Sequence, residues 1–401
     1  MQKIFIAFIM LTGMSILKAQ SFEYKNSGTD FILYDLSIPN QNPNIAFAGG
    51  SQYTTESAAG IIIKTEDAGE SWATVYEGGN IQTLAFVSPE KGFAAGFSTT
   101  IKKTTDGGQN WEDINIGTDI YYCPSIRFYD ENNGVILYAT MDNDLEVRVT
   151  SDGGETWVLS PNPPFHGIMK MNYADANTLF AVGYSGSVYK SDDGGLNWNM
   201  IRQEGFGINL GVAFANDQNG VYAGEEGDLY ITHDGGISWE NNLNTGYHHF
   251  YGLAWKGDKV LAAGTDEDIY LSEDNGENFE IIFNGSGDDQ PYEIGFFEDN
   301  SGLIVGSGGL IIKFEELFLN NKEISQNNTV IYPNPVRDAV NINSEEKIDL
   351  VQIYDLNGKV LYSQKNPGQN VQINLNSYPK GVYIIKINSK GKISTHKVSK
   401  K

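Results

Sequence analysis

The sequence predicts an all-β protein, a seven-bladed β-propeller followed by a small Ig-like antiparallel β-sandwich. Two observations carry the propeller. A box of eight residues holding an aspartate, a glycine and a closing aromatic returns six times, its aspartates 39, 46, 41, 41 and 40 residues apart, which is the length of a four-stranded blade. A short apolar motif, as in Leu84-Ala85-Phe86, recurs seven times around those boxes. The sandwich rests on a third observation. Residues 330–401 read as short alternating strands divided by turn residues, with a hairpin signal at Asn357-Gly358.

The chain opens with MQKIFIAFIMLTGMSILKAQ, in which a basic start at Lys3 precedes an apolar run from Ile4 to Leu17 and a small residue at Ala19. This is the order of a signal peptide, residues 1–20. The run of fourteen apolar positions is short of the roughly 20 that a membrane-spanning helix needs. A secreted protein is expected, without a transmembrane segment. Cys123 is the only cysteine, so no intramolecular disulfide can form, and it reads as a half-buried small hydrophobe.

The boxes are TEDAGESW (65–72), TTDGGQNW (104–111), TSDGGETW (150–157), SDDGGLNW (191–198), THDGGISW (232–239) and SEDNGENF (272–279). Each lies between two strand-like runs and is therefore a hairpin connection. Asp67, Asp106, Asp152, Asp193, Asp234 and Asp274 are expected to accept backbone N–H groups of their own turn, as Asx turns do. The fourth position varies, being Ala68 in one copy and Asn275 in another, whereas the fifth is always glycine, a sign of constrained backbone. Tryptophan closes five of the six copies and can seal the hairpin. The alternative of a calcium loop needs several alternating oxygen ligands and a bidentate acid. One aspartate per box does not supply them, so no metal is expected.

The seven first-strand motifs begin with Leu36-Ser37-Ile38 and end with Ile294-Gly295-Phe296, but the last unit stops after Leu310-Ile311-Ile312-Lys313 with no box and no fourth strand. Phe22-Glu23-Tyr24 resembles a fourth strand and can pair there, closing the ring and removing exposed sheet edges. The propeller is thus placed at 21–317 and a linker at 318–329.

These boxes resemble the Asp-box, or bacterial neuraminidase repeat, of sialidases, some xyloglucan hydrolases, sortilin-type receptors and photosystem II assembly-factor-like propellers. The last group is the most similar, because its blades run G-x-x-G, two apolar residues and the box, as in Gly183-Tyr184-Ser185-Gly186-Ser187-Val188-Tyr189-Lys190-Ser191. The resemblance implies a fold and leaves the function open, since enzymes and non-enzymes share the box. The tail motifs YPNP, IYDLNGKVLY and YPKGVYIIKI resemble the type A C-terminal sorting domain of type IX secretion. That implies export by the type IX machinery through residues 330–401 to the outer cell surface or the medium.

Charge narrows the partners. Residues 330–401 hold eleven Lys or Arg against five Asp or Glu, net +6, which leaves −30 on the rest of a chain of net charge −24. So acidic a body disfavours nucleic acid and anionic membrane surfaces as partners, because both need Lys and Arg clustered on one face. A monomer without cofactor is expected.

A site is sought on the face opposite the boxes, where the loops from fourth to first strands and from second to third strands emerge. Just before the first-strand motifs stand Asp35, Thr83, Ser125, Lys170, Gly211, Gly252 and Glu293, preceded in three units by Tyr34, Tyr251 and Tyr292. Units seven and one adjoin in a closed ring, so Asp35 and Glu293 are expected side by side among the tyrosines, with Arg127 and Lys170 across the ring. One functional reading is a mouth that binds a protein or glycan ligand. The other is a glycan-active hydrolase with Asp35 and Glu293 as its carboxylate pair. Against both stands simple cross-blade charge pairing. A sialidase is excluded, since its arginine triad has no counterpart: the propeller holds only Arg127, Arg148 and Arg202 and lacks an R-I-P motif. Adjacent His248-His249 do not have zinc-site spacing.

Overall fold

In a computed structural model the described residues are 22–39, 42–53, 58–98, 100–142, 144–164, 167–203, 207–246, 248–285, 287–315, 329–332, 336–354, 359–389 and 392–400. The signal peptide, residues 318–328 of the expected linker and the Asn357-Gly358 hairpin lie outside them, while Thr329, expected in the linker, begins a strand of the tail because its backbone pairs with Ser344. Contacts divide the chain into two compact units, Met1–Leu317 and Phe318–Lys401.

The first unit holds seven four-stranded antiparallel sheets. Blade 1, for example, runs Ile32–Ser37, Ala46–Tyr53, Ala58–Thr65 and Ala73–Gly78. The seven first strands touch one another in ring order, and the strand of blade 7 touches that of blade 1, so the ring is closed. Its core lies between blades. Phe47 and Ile62 of blade 1 pack on Leu84 and Phe86 of blade 2, and Val135 and Leu137 of blade 3 on Met171 and Leu179 of blade 4. Closure occurs as expected: Phe22–Tyr24 pairs antiparallel with Ile311–Phe314 as the fourth strand of blade 7. Phe22 also packs on Phe283 of blade 6, ring centroids 4.9 Å apart, and the Tyr24 hydroxyl donates to Glu267 of that blade.

Each box is a hydrogen-bonded unit. In the third, Asp152 Oδ1 accepts from the Thr150 hydroxyl at 2.8 Å and from the Thr156 N–H at 2.9 Å, while Oδ2 accepts from the Thr156 hydroxyl at 2.6 Å. The Thr150 hydroxyl oxygen in turn accepts the Gly154 N–H at 2.9 Å. The same pattern recurs in the other boxes. Hydrogen bonds from the side chain and then the N–H of the residue four places on hold the carboxyls of Asp67, Asp152 and Asp234 down at about 2.

The constant glycine has two causes. Its φ lies between +81° and +96°, a region costly for other residues. It also lies against the preceding blade: a Cβ on Gly154 would stand 2.6 Å from Phe93 of blade 2, and one on Gly195 2.8 Å from Val135 of blade 3. The variable position before it also has positive φ, +55° at Ala68 and +60° at Asn275. The room there differs from blade to blade: nothing lies within 4 Å of a Cβ on Gly194, whereas one on Gly153 would stand 2.5 Å from Lys91 Nζ and 2.6 Å from Glu131 O. The closing tryptophan seals the same seam: Trp111 meets Phe86 edge-on at 6.0 Å and Tyr76 of blade 1 at 5.9 Å.

Cys123 is fully buried rather than half-buried. Its Sγ is 3.3 Å from Leu137 O, and burial pushes the thiol up, so it is an inert core residue.

The second unit is a five-stranded antiparallel structure. Its long strand Ala339–Tyr354 pairs with Thr329–Tyr332, Val360–Asn374 and Gly381–Ser389, changing register between Asn343 and Ile348. Lys392–Lys400 completes it against Gly381–Ser389. Val340, Ile342, Val351, Ile353, Ile385 and Ile387 fill its core.

The two glycines of one box separate the two causes. Gly194→Ala meets only the backbone penalty, about 1 kcal/mol. Gly195→Ala adds overpacking against Val135 and is expected to cost about 2–4 kcal/mol. Chemical denaturation of the two variants measures the difference; equal losses would contradict the packing role.

Candidate functional site

A break in pairing register places the candidate residues. In six blades the first strand shifts register against the second directly before or at the column that holds Asp35, Ser125, Lys170, Gly211, Gly252 and Glu293. Such bulges twist a strand and re-aim its side chains. The skipped residues include Tyr34, Tyr251 and Tyr292, which explains why the three share a column.

Side chains of this column meet across the ring, joined by Arg127, two residues after the column position of blade 3. Arg127, from blade 3, reaches Asp35 of blade 1 at 2.9 Å through Nη1, and its Nη2 stands 3.8 Å from Glu293 of blade 7. Lys170, from blade 4, lies 2.8 Å from Glu293 Oε2 and donates to the carbonyls of Tyr292 at 2.9 Å and Tyr251 at 3.2 Å. Glu293 Oε2 receives no aligned hydrogen bond, so charge attraction holds it. Asp35 is 3% exposed and also accepts from the Thr83 hydroxyl at 2.8 Å and the N–H groups of Leu84 at 3.0 Å and Leu36 at 3.1 Å. Burial alone would lower the Arg127 guanidinium, but Asp35 and Glu293 together carry it above its ordinary value.

Beside this network the three tyrosines form an arc over blades 6, 7 and 1. The ring of Tyr292 is 5.0 Å from that of Tyr251 and 5.5 Å from that of Tyr34, and His249 extends the arc, 6.2 Å from Tyr251. Burial, with Tyr251 and Tyr34 beside it, pushes the Tyr292 phenol up to about 12. Burial and then the charge of Glu225 raise Tyr251. Both phenols are neutral at physiological pH.

The two faces treat charge differently. On the box face, lysines neutralise box acids: Lys64 with Glu66, Lys103 with Glu155, Lys313 with Glu70. On the opposite face, the described residues of the loops hold eleven carboxylates, one lysine and no arginine. Eight of the eleven lie on blades 5 to 7 and the turn into blade 1, among them Asp30, Glu225, Glu226, Asp266, Asp288 and Asp289. Across that turn an open groove of about 770 Å³ runs between the segment 26–31 and blade 1, with Asp30, Phe31, Thr74 and Glu77 in its wall. Among the described residues no cluster could hold a metal ion, and no helix is long and apolar enough to cross a membrane.

Two sets of residues escaped the sequence reading. The hydroxyl that opens every box and the hydroxyl or amide at its seventh position are the aspartate's partners; their constancy across six copies was the signal. Glu267 is the second. It replaces the last glycine of the G-x-x-G turn found in blades 4, 5 and 7, keeps a positive φ of +58° and is buried. A Cβ on Gly287 would stand 2.1 Å from its carboxylate, and Tyr24 of the closing strand bonds to it. The broken G-x-x-G pattern marked it.

Comparison with known proteins agrees with this architecture. Residues 330–401 match the secretion system C-terminal sorting domain, and residues 230–241 match the BNR/Asp-box repeat. The tail therefore marks the chain for export by the type IX secretion system. No curated protein matches over the chain. Among solved structures, YCF48 bound to D1 peptide is similar at 18% identity and TM-score 0.60, covering 75% of this chain and 96% of its own. YCF48 from Cyanidioschyzon merolae is similar at 18% and 0.58, covering 73% and 98%. PorZ, a surface component of the type IX secretion system of Porphyromonas gingivalis, matches at 13% identity and TM-score 0.56 over 94% of this chain, which spans 60% of that one. These likenesses define the class: an exported Asp-box β-propeller with a sorting tail.

Arg127→Met removes the only guanidinium touching the buried Asp35. Leaving a buried charge unpaired costs about 3–5 kcal/mol, and adding Asp35→Asn is expected to restore at least half of the loss. Urea unfolding of the single and double variants tests this; additive losses would contradict the pairing.

Proposed function

We propose that this chain is an exported binding propeller that takes a cationic polypeptide segment on the face opposite its boxes. In this reading residues 1–20 are removed, 318–329 link propeller to tail, and the monomeric body is displayed at or released from the outer cell surface. The carrying observation is the charge of that face, where the described loop residues hold eleven carboxylates, all but Glu267 and Asp268 at least partly exposed, against one lysine, and that lysine, Lys25, is already paired with Glu23 and Glu70. Clustered acids of one sign steer and hold a basic partner. A peptide is favoured over a glycan because a neighbour of this fold was solved with a peptide bound.

The arrangement at the axis weighs against hydrolysis. A glycosidase pair needs open space between its carboxyls for the scissile bond. Here a guanidinium and an ammonium stand against Asp35 and Glu293, which supports a structural role for all four charges.

Calorimetric titration of the full chain with basic, neutral and acidic decapeptides and with an oligosaccharide panel tests the proposal. Binding of the basic peptides alone, weakening at least tenfold between 50 and 300 mM salt, is the expected result. Preference for acidic peptides or for a glycan would overturn it.

A further inference from the structure

The acids of the loop face attract a cation but do not by themselves define where it sits. The tyrosine arc does. Tyr251, Tyr292 and Tyr34 are contributed by three consecutive blades, and their rings meet at 47° and 66° rather than stacking flat. Tyr251 and Tyr292 meet edge to face and Tyr34 is tilted against Tyr292, so no ring is covered on both faces by its neighbours in the arc. A closed aromatic core would be fully buried, yet all three are partly exposed on strands whose neighbouring column residues are buried or salt-bridged. The negative face of an aromatic ring attracts a cation, most strongly where water is partly excluded.

The loop acids beside the arc supply the sign of the ligand. Glu225 lies partly exposed in the turn Glu225–Gly227 of blade 5, which adjoins the blade of Tyr251 in the ring, and after burial its charge raises the Tyr251 phenol, so the arc ends beside a negative charge. The cations nearest the arc do not compete for it. Arg127 and Lys170 are committed to Asp35, Glu293 and the backbone carbonyls of Tyr251 and Tyr292. Since Lys170 holds those two carbonyls, the backbone that carries the rings is itself pinned.

The geometry points to this arc as a subsite for one cationic side chain, a guanidinium or ammonium, of the bound polypeptide, with Tyr251, Tyr292 and Tyr34 as its π faces and Glu225 as its counter-ion. The inference rests on the binding function proposed above and sharpens it. A planar guanidinium, which can stack on a ring while donating to a carboxylate, fits better than a compact ammonium.

The test uses the full chain and one basic decapeptide in three versions, with arginine, lysine or citrulline at the cationic positions. Citrulline keeps the shape and hydrogen-bonding edge of arginine without its charge. Affinity is expected to fall in that order, by at least tenfold from arginine to citrulline. In Tyr292→Leu and Tyr251→Leu, arginine-peptide affinity is expected to drop about tenfold, and in Glu225→Gln, a surface change that spares the fold, about threefold. Unchanged arginine-peptide affinity in Glu225→Gln and in a folded tyrosine variant overturns the subsite while leaving the proposed function standing. Equal binding of arginine and citrulline peptides also overturns it. Absence of binding by any basic peptide to the unaltered chain removes both.

Discussion

Six of the seven blades are locked to the one before them by the approach of a single glycine. The box must turn through positive φ, and at that turn its backbone lies where a side chain would strike Leu303, Val75, Phe93, Val135, Phe180 or Ile231 of the preceding blade. The aspartate and the hydroxyl that opens the box hold the turn in shape, and the closing aromatic fills the seam. Because the interior of the propeller lies between sheets rather than within them, the spacing of blades governs the whole core. The ring that results places seven first strands around one axis.

What the axis does with its charges follows from that ring. Four ionic side chains from four blades converge where water is scarce, and they can remain there only by pairing. Arg127 and Lys170 therefore act as struts between opposite sides of the ring. The proposed function lies not at the axis but at its margin, where tyrosines skipped by the register shifts are partly open and the acids of the loops have few basic neighbours.

The fold was largely legible because it is periodic. Box and first-strand motif repeat at blade length, and the missing fourth strand of unit seven, matched with the unassigned Phe22-Glu23-Tyr24, announced the closure. Strand columns likewise brought Asp35 to Glu293 and aligned the three tyrosines. What periodicity does not reveal is reach. That one guanidinium touches carboxylates of blades 1 and 7 depends on side-chain length across the axis, and Glu267 meets Tyr24 only because ends 243 residues apart are joined in the ring. The fifth-position glycine was legible as a backbone requirement, but its contact with the preceding sheet needed the curvature of the assembled ring.

The central claim is that the faces divide labour, the boxes holding the ring and the opposite face holding the ligand. Hydrogen–deuterium exchange of the full chain with and without a saturating arginine decapeptide addresses it directly. Slowed exchange is predicted in segments 225–228, 249–252, 265–268 and 288–292, with the six boxes unchanged. Slowed exchange in the boxes, with none in those four segments, would contradict it.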